Sequence, residues 1–167
     1  CKIMHYTSFV GDTFNTQIEL LEKLSEDTLL SFDPGMLYVQ KGFDALRPIL
    51  ERTNILLINE SELRLLCNNE ESPIKDLAVY FRDLGIETVV VKQGSKGVYA
   101  INATEECEVE AYECDVIDTT GAGDSFNSGF LYSHLKGYNL EKSCQIANWV
   151  ASKAVEGYGM EKFPSLK

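Results

Sequence analysis

The sequence contains no long hydrophobic run. Its apolar stretches are short and interrupted, well under the roughly 20 residues that cross a bilayer. Cys1-Lys2-Ile3-Met4-His5 does not open a signal peptide, so a cytoplasmic location without a membrane partner is expected. The chain begins with Cys and enters an apolar stretch almost at once, so upstream sequence is expected too. Paired cysteines are also missing: the five (Cys1, Cys67, Cys107, Cys114, Cys144) are odd in number and have no C-x-x-C spacing, which excludes a disulfide framework and predicts free thiols. Only two histidines, His5 and His134, are present, and neither has the companions of a zinc site. Basic charge is scarce. With 15 Lys and Arg against 26 Asp and Glu, net charge -11, nucleic acid is excluded as the main partner because it requires a basic surface. A phosphate ligand is not excluded, since backbone N–H groups and Mg2+ can hold it.

The chain does contain alternating strand and helix patterns. Four short apolar runs, residues 3–10, 28–32, 55–58 and 88–91, are each followed by a stretch with helical spacing. Phe14, Ile18, Leu21 and Leu24 form one stripe. Ile74, Leu77, Phe81 and Leu84 form another, opened by Pro73 in the first turn. This order predicts a single α/β domain over 1–167, a mainly parallel sheet with helices on both faces. Gln93-Gly94-Ser95-Lys96-Gly97 is turn chemistry between strand-like runs, predicting a hairpin after the fourth strand. Residues 106–114 alternate loosely, with Glu105, Glu106, Glu108 and Glu110 on a solvated face. A helix is expected from Gly123 to a break at Gly137, then another over 140–155. Ligands of open α/β sheets bind at the carboxyl ends of the strands. Here those ends carry Asp33-Pro34-Gly35, Asn59-Glu60-Ser61-Glu62 and Lys92-Gln93-Gly94.

Asp118-Thr119-Thr120-Gly121-Ala122-Gly123-Asp124-Ser125-Phe126 leads small residues straight into a helix. Gly121, Ala122 and Gly123 let N–H groups approach an anion, and the helix N-terminus adds roughly +0.5 charge. Asp124, in the first turn, can accept the proton of an attacking hydroxyl while that hole stabilises a transferring phosphoryl group. An acidic residue there could also merely stabilise the helix start.

The run resembles the C-terminal signature of ribokinase-like (PfkB) carbohydrate kinases, and further stretches fall in that family's order. Leu30-Ser31-Phe32-Asp33-Pro34 resembles its strand ending in Asp-Pro, Asn59-Glu60-Ser61-Glu62 its N-x-x-E element, and residues 90–97 its strand and glycine turn. Ala147-Asn148 with Gly157-Tyr158-Gly159 resembles its closing helix and loop. The resemblance implies a ribokinase-like fold and an ATP- and Mg2+-dependent transfer to a hydroxyl of a sugar or nucleoside. A vitamin-precursor acceptor (hydroxymethylpyrimidine or pyridoxal type) and a non-catalytic nucleotide-binding module stay open. A dinucleotide oxidoreductase is disfavoured, because no full G-x-G-x-x-G follows the first strand.

By the same resemblance Lys92, Gly94, Gly97 and Asn148 border the nucleotide, although the two glycines would equally suit a hairpin. Asn59 and Glu62 order Mg2+ through water, or else only cap a helix. Asp118 and Thr120 match positions that hold a monovalent cation such as K+, while residues 155–164 depart from the family's run. Trp149 stands where the family has a small residue, with packing in the core the expected explanation. The family's Gly-Gly-x-x-x-Asn sugar motif and its lid have no counterpart. The resemblance therefore covers a kinase's C-terminal part, and a second copy or a complementary segment is an expected partner.

Overall fold

Five-residue runs rich in Ile, Leu and Val make the central strands, because such side chains favour extended backbone where both faces are covered. In the computed structural model, which describes residues 1–159 and 161–164, β1 is Ile3–Thr7, β2 Leu29–Asp33, β3 Ile55–Asn59 and β4 Thr88–Lys92. Ile55, Leu56, Leu57 and Ile58 are successive and all fully buried. Successive side chains point to opposite faces, so β3 is covered on both. The register is parallel, with Tyr6 beside Phe32 and Phe32 beside Leu56.

The chain forms two compact units. The first, Cys1–Val91 with Ile101–Thr104, holds these strands in the order β1-β2-β3-β4. Parallel neighbours need crossovers. These are α1 (Thr13–Leu21), then α2 (Gly35–Val39) with α3 (Phe43–Leu50), then α4 (Glu60–Cys67) with α5 (Ile74–Asp83). The mainly parallel α/β class is as expected. The helical stretch expected after the second run is divided into two short helices, α2 and α3.

Several local expectations shift. β1 stops at Thr7, leaving Phe9 and Val10 exposed. α1 ends at Leu21, and its one buried side chain is Gln17, not the Phe14-Ile18-Leu21-Leu24 stripe. Gln17 donates to the Thr7 carbonyl at 3.0 Å, and the Tyr6 hydroxyl donates back to the Gln17 carbonyl at 3.1 Å. A polar tie thus fastens this helix to β1. In α5 the buried residues are Leu77, Ala78 and Phe81, whereas Leu84 lies past the end and is half-exposed. Pro73 occupies the N-cap position, just outside the first turn.

The second unit comprises Lys92–Ala100 and the chain from Glu105. It holds a 3-10 turn at Gly94–Lys96, most of β5 (Val98–Asn102), β6 (Glu106–Val109), α6 (Ala122–Leu135) and α7 (Leu140–Val155). The glycine turn is closed by Gln93 N–H donating to the Gly97 carbonyl at 2.8 Å. The alternation expected over 106–114 stops at Val109, and the rest is loop. Glu106, Glu108 and Glu110 are exposed as expected. Glu105 instead accepts from Leu140 N–H at 3.1 Å, at the start of α7. The Asn139 side chain caps α7 through Lys142 N–H at 2.9 Å. Phe126 and Phe130 stack along α6 and are buried.

Candidate active site

Residues 117–125 are shaped by their own backbone chemistry before any ligand is considered. Ile117 and Asp118 N–H groups donate to the Val155 carbonyl at 2.8 and 3.2 Å, tying this loop to the end of α7. The Asp118 carboxylate then accepts from Thr120 N–H at 2.9 Å. This N–H and the Thr120 hydroxyl hold the Asp118 carboxyl below its ordinary range. Gly121, at φ 77, makes the left-handed step into α6 that a side chain would oppose.

Ala122 N–H donates to the Thr119 carbonyl at 3.1 Å. Ser125 N–H is the first to reach back into the helix proper, to Gly121 at 2.9 Å. Gly123 and Asp124 N–H therefore precede the intrahelical ladder, and α6 presents the positive end of its dipole there. Both residues are exposed.

A cavity of about 540 Å3 opens beside this turn within the second unit. That lies within the range of small-molecule sites, roughly 300–1,000 Å3. Lys92, Gly94, Gly97, Ala122, Gly123 and Asn148 all line it. These are residues that local sequence patterns placed in separate motifs. Phe126, Ala151 and Val155 add an apolar wall. Apolar surface at one part and glycine backbone with an ammonium at another suit a nucleotide, which has a flat base and an anionic tail. Asp124 is not part of the wall; it follows Gly123 in the same helical turn.

Two of the expected contacts serve the protein itself. Asn148 uses its side-chain amide on the Val109 and Glu110 carbonyls, at 3.2 and 3.0 Å. Gly97, at φ 100, lies so close to the same segment that a Cβ would collide with the Val109 carbonyl oxygen and come within 2.8 Å of Ala111 N. Together they seat residues 109–111 against the glycine turn, and this contact is what ends β6. Tyr112 and Glu113, on the loop that follows, also line the cavity. The loose alternation over 106–114 gives no local sign of them. Asn127, a buried residue of α6, was missed as well, because nothing local distinguishes it from a packed helical position.

In the first unit, Asn59 and Glu62 form a reciprocal capping box at α4. The Asn59 side chain accepts from Glu62 N–H at 2.8 Å, and the Glu62 carboxylate accepts from Asn59 N–H at 3.2 Å. Glu62 is buried. Among the described residues no group of three or more His, Cys, Asp or Glu could cage a metal. Mg2+ in phosphoryl-transfer sites typically needs only one or two carboxylates, the rest coming from water and phosphate.

Trp149 corrects an expectation: it is 43% exposed, neither in the core nor on the cavity wall. On α7 it faces away from the helical stripe of Cys144, Ala147, Asn148 and Ala151 that packs or lines the cavity. His5 bonds Ser31 at 2.6 Å and His134 stacks on Phe130, so both are packing residues. All five cysteines are free thiols. The reading of residues 155–164 as a departing family loop includes Met160, which lies outside the described residues. No helix among the described residues is long and apolar enough to cross a membrane.

Comparison with known proteins decides the family. Residues 6–165 match the pfkB family of carbohydrate kinases. The chain belongs to that family. It is 37% identical over 161 residues to a sugar kinase of Archaeoglobus fulgidus, itself uncharacterised, covering 94% of this chain and 62% of that protein. It is 33% identical to the nucleoside kinase of Methanocaldococcus jannaschii, covering 94% of this chain and 55% of the relative. The crystal structure of the M. jannaschii nucleoside kinase superposes with a TM-score of 0.82 over 98% of this chain and 52% of its own. Arabidopsis thaliana ribokinase, in its structure complexed with ribose and ATP, superposes at a TM-score of 0.83 with 26% identity, over 98% of this chain and 53% of its own. The PfkB chain thus has the ribokinase fold and spans about half the length of these relatives.

Proposed function

We propose that this PfkB protein takes part in ATP-dependent phosphoryl transfer to a hydroxyl of a sugar or nucleoside in the cytoplasm, with Asp124 as the base. The observation that carries the reading is the cavity wall formed by Lys92, Ala122 and Gly123, immediately followed by a carboxylate in the same turn of α6. In the transfer, the acceptor O–H gives its proton to the Asp124 carboxylate. The hydroxyl oxygen bonds to the γ-phosphorus, the bond to the β,γ-bridging oxygen breaks, and ADP leaves. The anion hole of Gly121, Ala122 and Gly123, with the Gly123 and Asp124 N–H groups lying ahead of the helical ladder, stabilises charge on the phosphoryl oxygens. Mg2+, when bound, neutralises phosphate charge, and Glu62 with Asn59 is assigned to its water shell. Asp118 and Thr120 remain the candidates for K+. The exposed Met4, Phe9 and Val10 on and after β1, the end strand of its unit, support the expectation that a further segment or a second copy covers this edge.

Coupled ADP release by the full-length protein over pentoses, hexoses, nucleosides, hydroxymethylpyrimidine and pyridoxal tests the reading. A rate of roughly 1–100 per second with one sugar or nucleoside is expected. Turnover only with a vitamin precursor would move the acceptor class, and ATP binding without turnover on any acceptor would leave a binding module.

Glu62→Gln separates metal from cap. Glutamine keeps an oxygen acceptor for Asn59 N–H, so α4 stays capped, but the charge that attracts Mg2+ is gone. The rate of the variant is expected to need about tenfold more free Mg2+ for half-saturation, with adenosine affinity unchanged. Superimposable Mg2+ titrations for variant and parent would remove Glu62 from the metal site.

A further inference from the structure

β6 runs beside α7 in step with it. Glu105, just ahead of the strand, accepts from Leu140 N–H at 3.1 Å, and the Asn148 amide donates to the Val109 and Glu110 carbonyls at 3.2 and 3.0 Å. A strand advances about 3.3 Å per residue and a helix about 1.5 Å, so two residues of one keep pace with four of the other. The rungs at 105 with 140 and at 109 with 148 therefore set position 107 opposite 144, midway between them. Both positions are cysteine. Cys107 and Val109 are the half-buried side chains of β6, while Glu106 and Glu108 are exposed. Cys144 is fully buried on α7. Both thiols are free, and Cys144 donates a hydrogen bond to Cys107 Sγ.

The pair is chemically unequal. The hydrogen bond from Cys144 holds the Cys107 thiol below its ordinary range, against the opposing effects of burial and of the Glu141, Glu105 and Glu106 carboxylates. The same bond, together with burial, pushes Cys144 up. A thiolate is the attacking species in thiol–disulfide exchange, and of the two sulfurs only that of Cys107 lies on a residue open to solvent. Between the two cysteines the chain carries cavity-wall residues 111–114 and the turn that opens α6.

We propose that Cys107 and Cys144 are a reversible disulfide site that fastens β6 to α7 and closes a covalent loop around the cavity wall and the first turn of α6. This goes beyond the nucleotide reading and does not depend on it. The oxidant is a small-molecule disulfide, R–S–S–R. Cys107 loses its proton to water and its thiolate attacks one sulfur; the Cys107–S–R bond forms, the R–S–S–R bond breaks, and the departing thiolate takes up a proton as R–SH. Cys144 then gives up its proton and its sulfur attacks Cys107 Sγ. The Cys107–Cys144 bond forms, the bond to R–S breaks, and the second R–S leaves with that proton as R–SH. Two electrons pass from the protein thiols to the small disulfide, and a reducing dithiol reverses the exchange.

Full-length protein treated with bis(2-hydroxyethyl) disulfide, digested without reduction and mapped by mass spectrometry, tests the site. A peptide linked through Cys107 and Cys144 is expected from the parent and from Cys114→Ser, and none from Cys107→Ser. Cys144→Ala should stop at the first step, with the hydroxyethylthio group on Cys107. The linked parent should melt at least about 4 °C above its reduced form, because a crosslink that closes a long loop restricts the unfolded chain. Dithiothreitol should abolish that gain, and Cys107→Ser should never show it.

The inference is overturned by a parent whose two thiols stay unmodified, by mixed disulfides that do not go on to the link, or by a link that disappears in Cys114→Ser. It is overturned equally by a linked parent that melts no higher than the reduced form, since the bond would then form only in a distorted state. Should Cys144→Ala not fold, the parent, Cys114→Ser and Cys107→Ser still decide.

Discussion

Asp124→Asn in the full-length protein is expected to lower kcat at least about 100-fold, the usual worth of a general base, with ATP affinity retained. Asparagine matches aspartate in size and keeps the backbone N–H at the start of α6, so the anion-binding turn is preserved. The amide cannot take the acceptor's proton. The competing account, in which Asp124 only stabilises the helix start, makes the opposite pair of predictions: a stability loss of up to about 1 kcal/mol and unchanged turnover. Thermal unfolding measured beside initial rates at saturating Mg-ATP distinguishes them. Near-parental kcat with a lowered melting temperature would demote Asp124 to a helix stabiliser, and the base would have to be sought elsewhere.

Gly97→Ala is expected to cost about 2–6 kcal/mol of stability, from two additive causes. The backbone at φ 100, ψ -132 is a conformation nearly confined to glycine, worth about 1–3 kcal/mol of strain for other residues. The new methyl would also meet the Val109 carbonyl, with Glu110 and Ala111 backbone atoms at 2.8 Å, and overpacking of this kind costs about 1–3 kcal/mol. Backbone cannot rotate aside as a side chain can, so residues 109–111 must move or the turn must. Gly94→Ala is the internal control. Gly94 also has positive φ, but nothing lies within 4 Å of its would-be Cβ, so only about 1 kcal/mol of conformational cost applies. At roughly 2–4 °C per kcal/mol for a chain of this size, the Gly97 variant should melt at least about 4 °C below parent, and well below the Gly94 variant. Equal melting temperatures would mean that the close approach does not constrain the turn.

These two positions differ in how much of their role is visible locally. Asp124 is legible because its partners are its neighbours: small residues, a left-handed step and a helix start occupy consecutive positions. Gly97 looks like any turn glycine. Its close neighbour is the backbone of residues 109–111, which no spacing rule links to it. Asn148 likewise reads as a family position, but its amide serves as a clamp on Val109 and Glu110. The clamped segment is also where the expected strand stops, so one non-local contact accounts for two departures from the sequence expectation.

Whatever depends on near neighbours is legible in the residues alone. The run of strands and helices, the limits of α7 at Leu140–Val155, the capping box of Asn59 and Glu62, and the glycine-rich entry to α6 all follow from periodicity, caps and backbone freedom within a few residues. The order of motifs along the chain was enough to indicate the family. Whatever depends on distant contacts emerged with packing. It exposed Trp149, buried Gln17 instead of the apolar stripe of α1, put residues 111–114 on the cavity wall instead of in a strand, and set Lys92 against Asn127. Burial and side-chain pairing are settled by packing between elements. An amphipathic pattern indicates which side chains favour an interior, but not which neighbours will provide one.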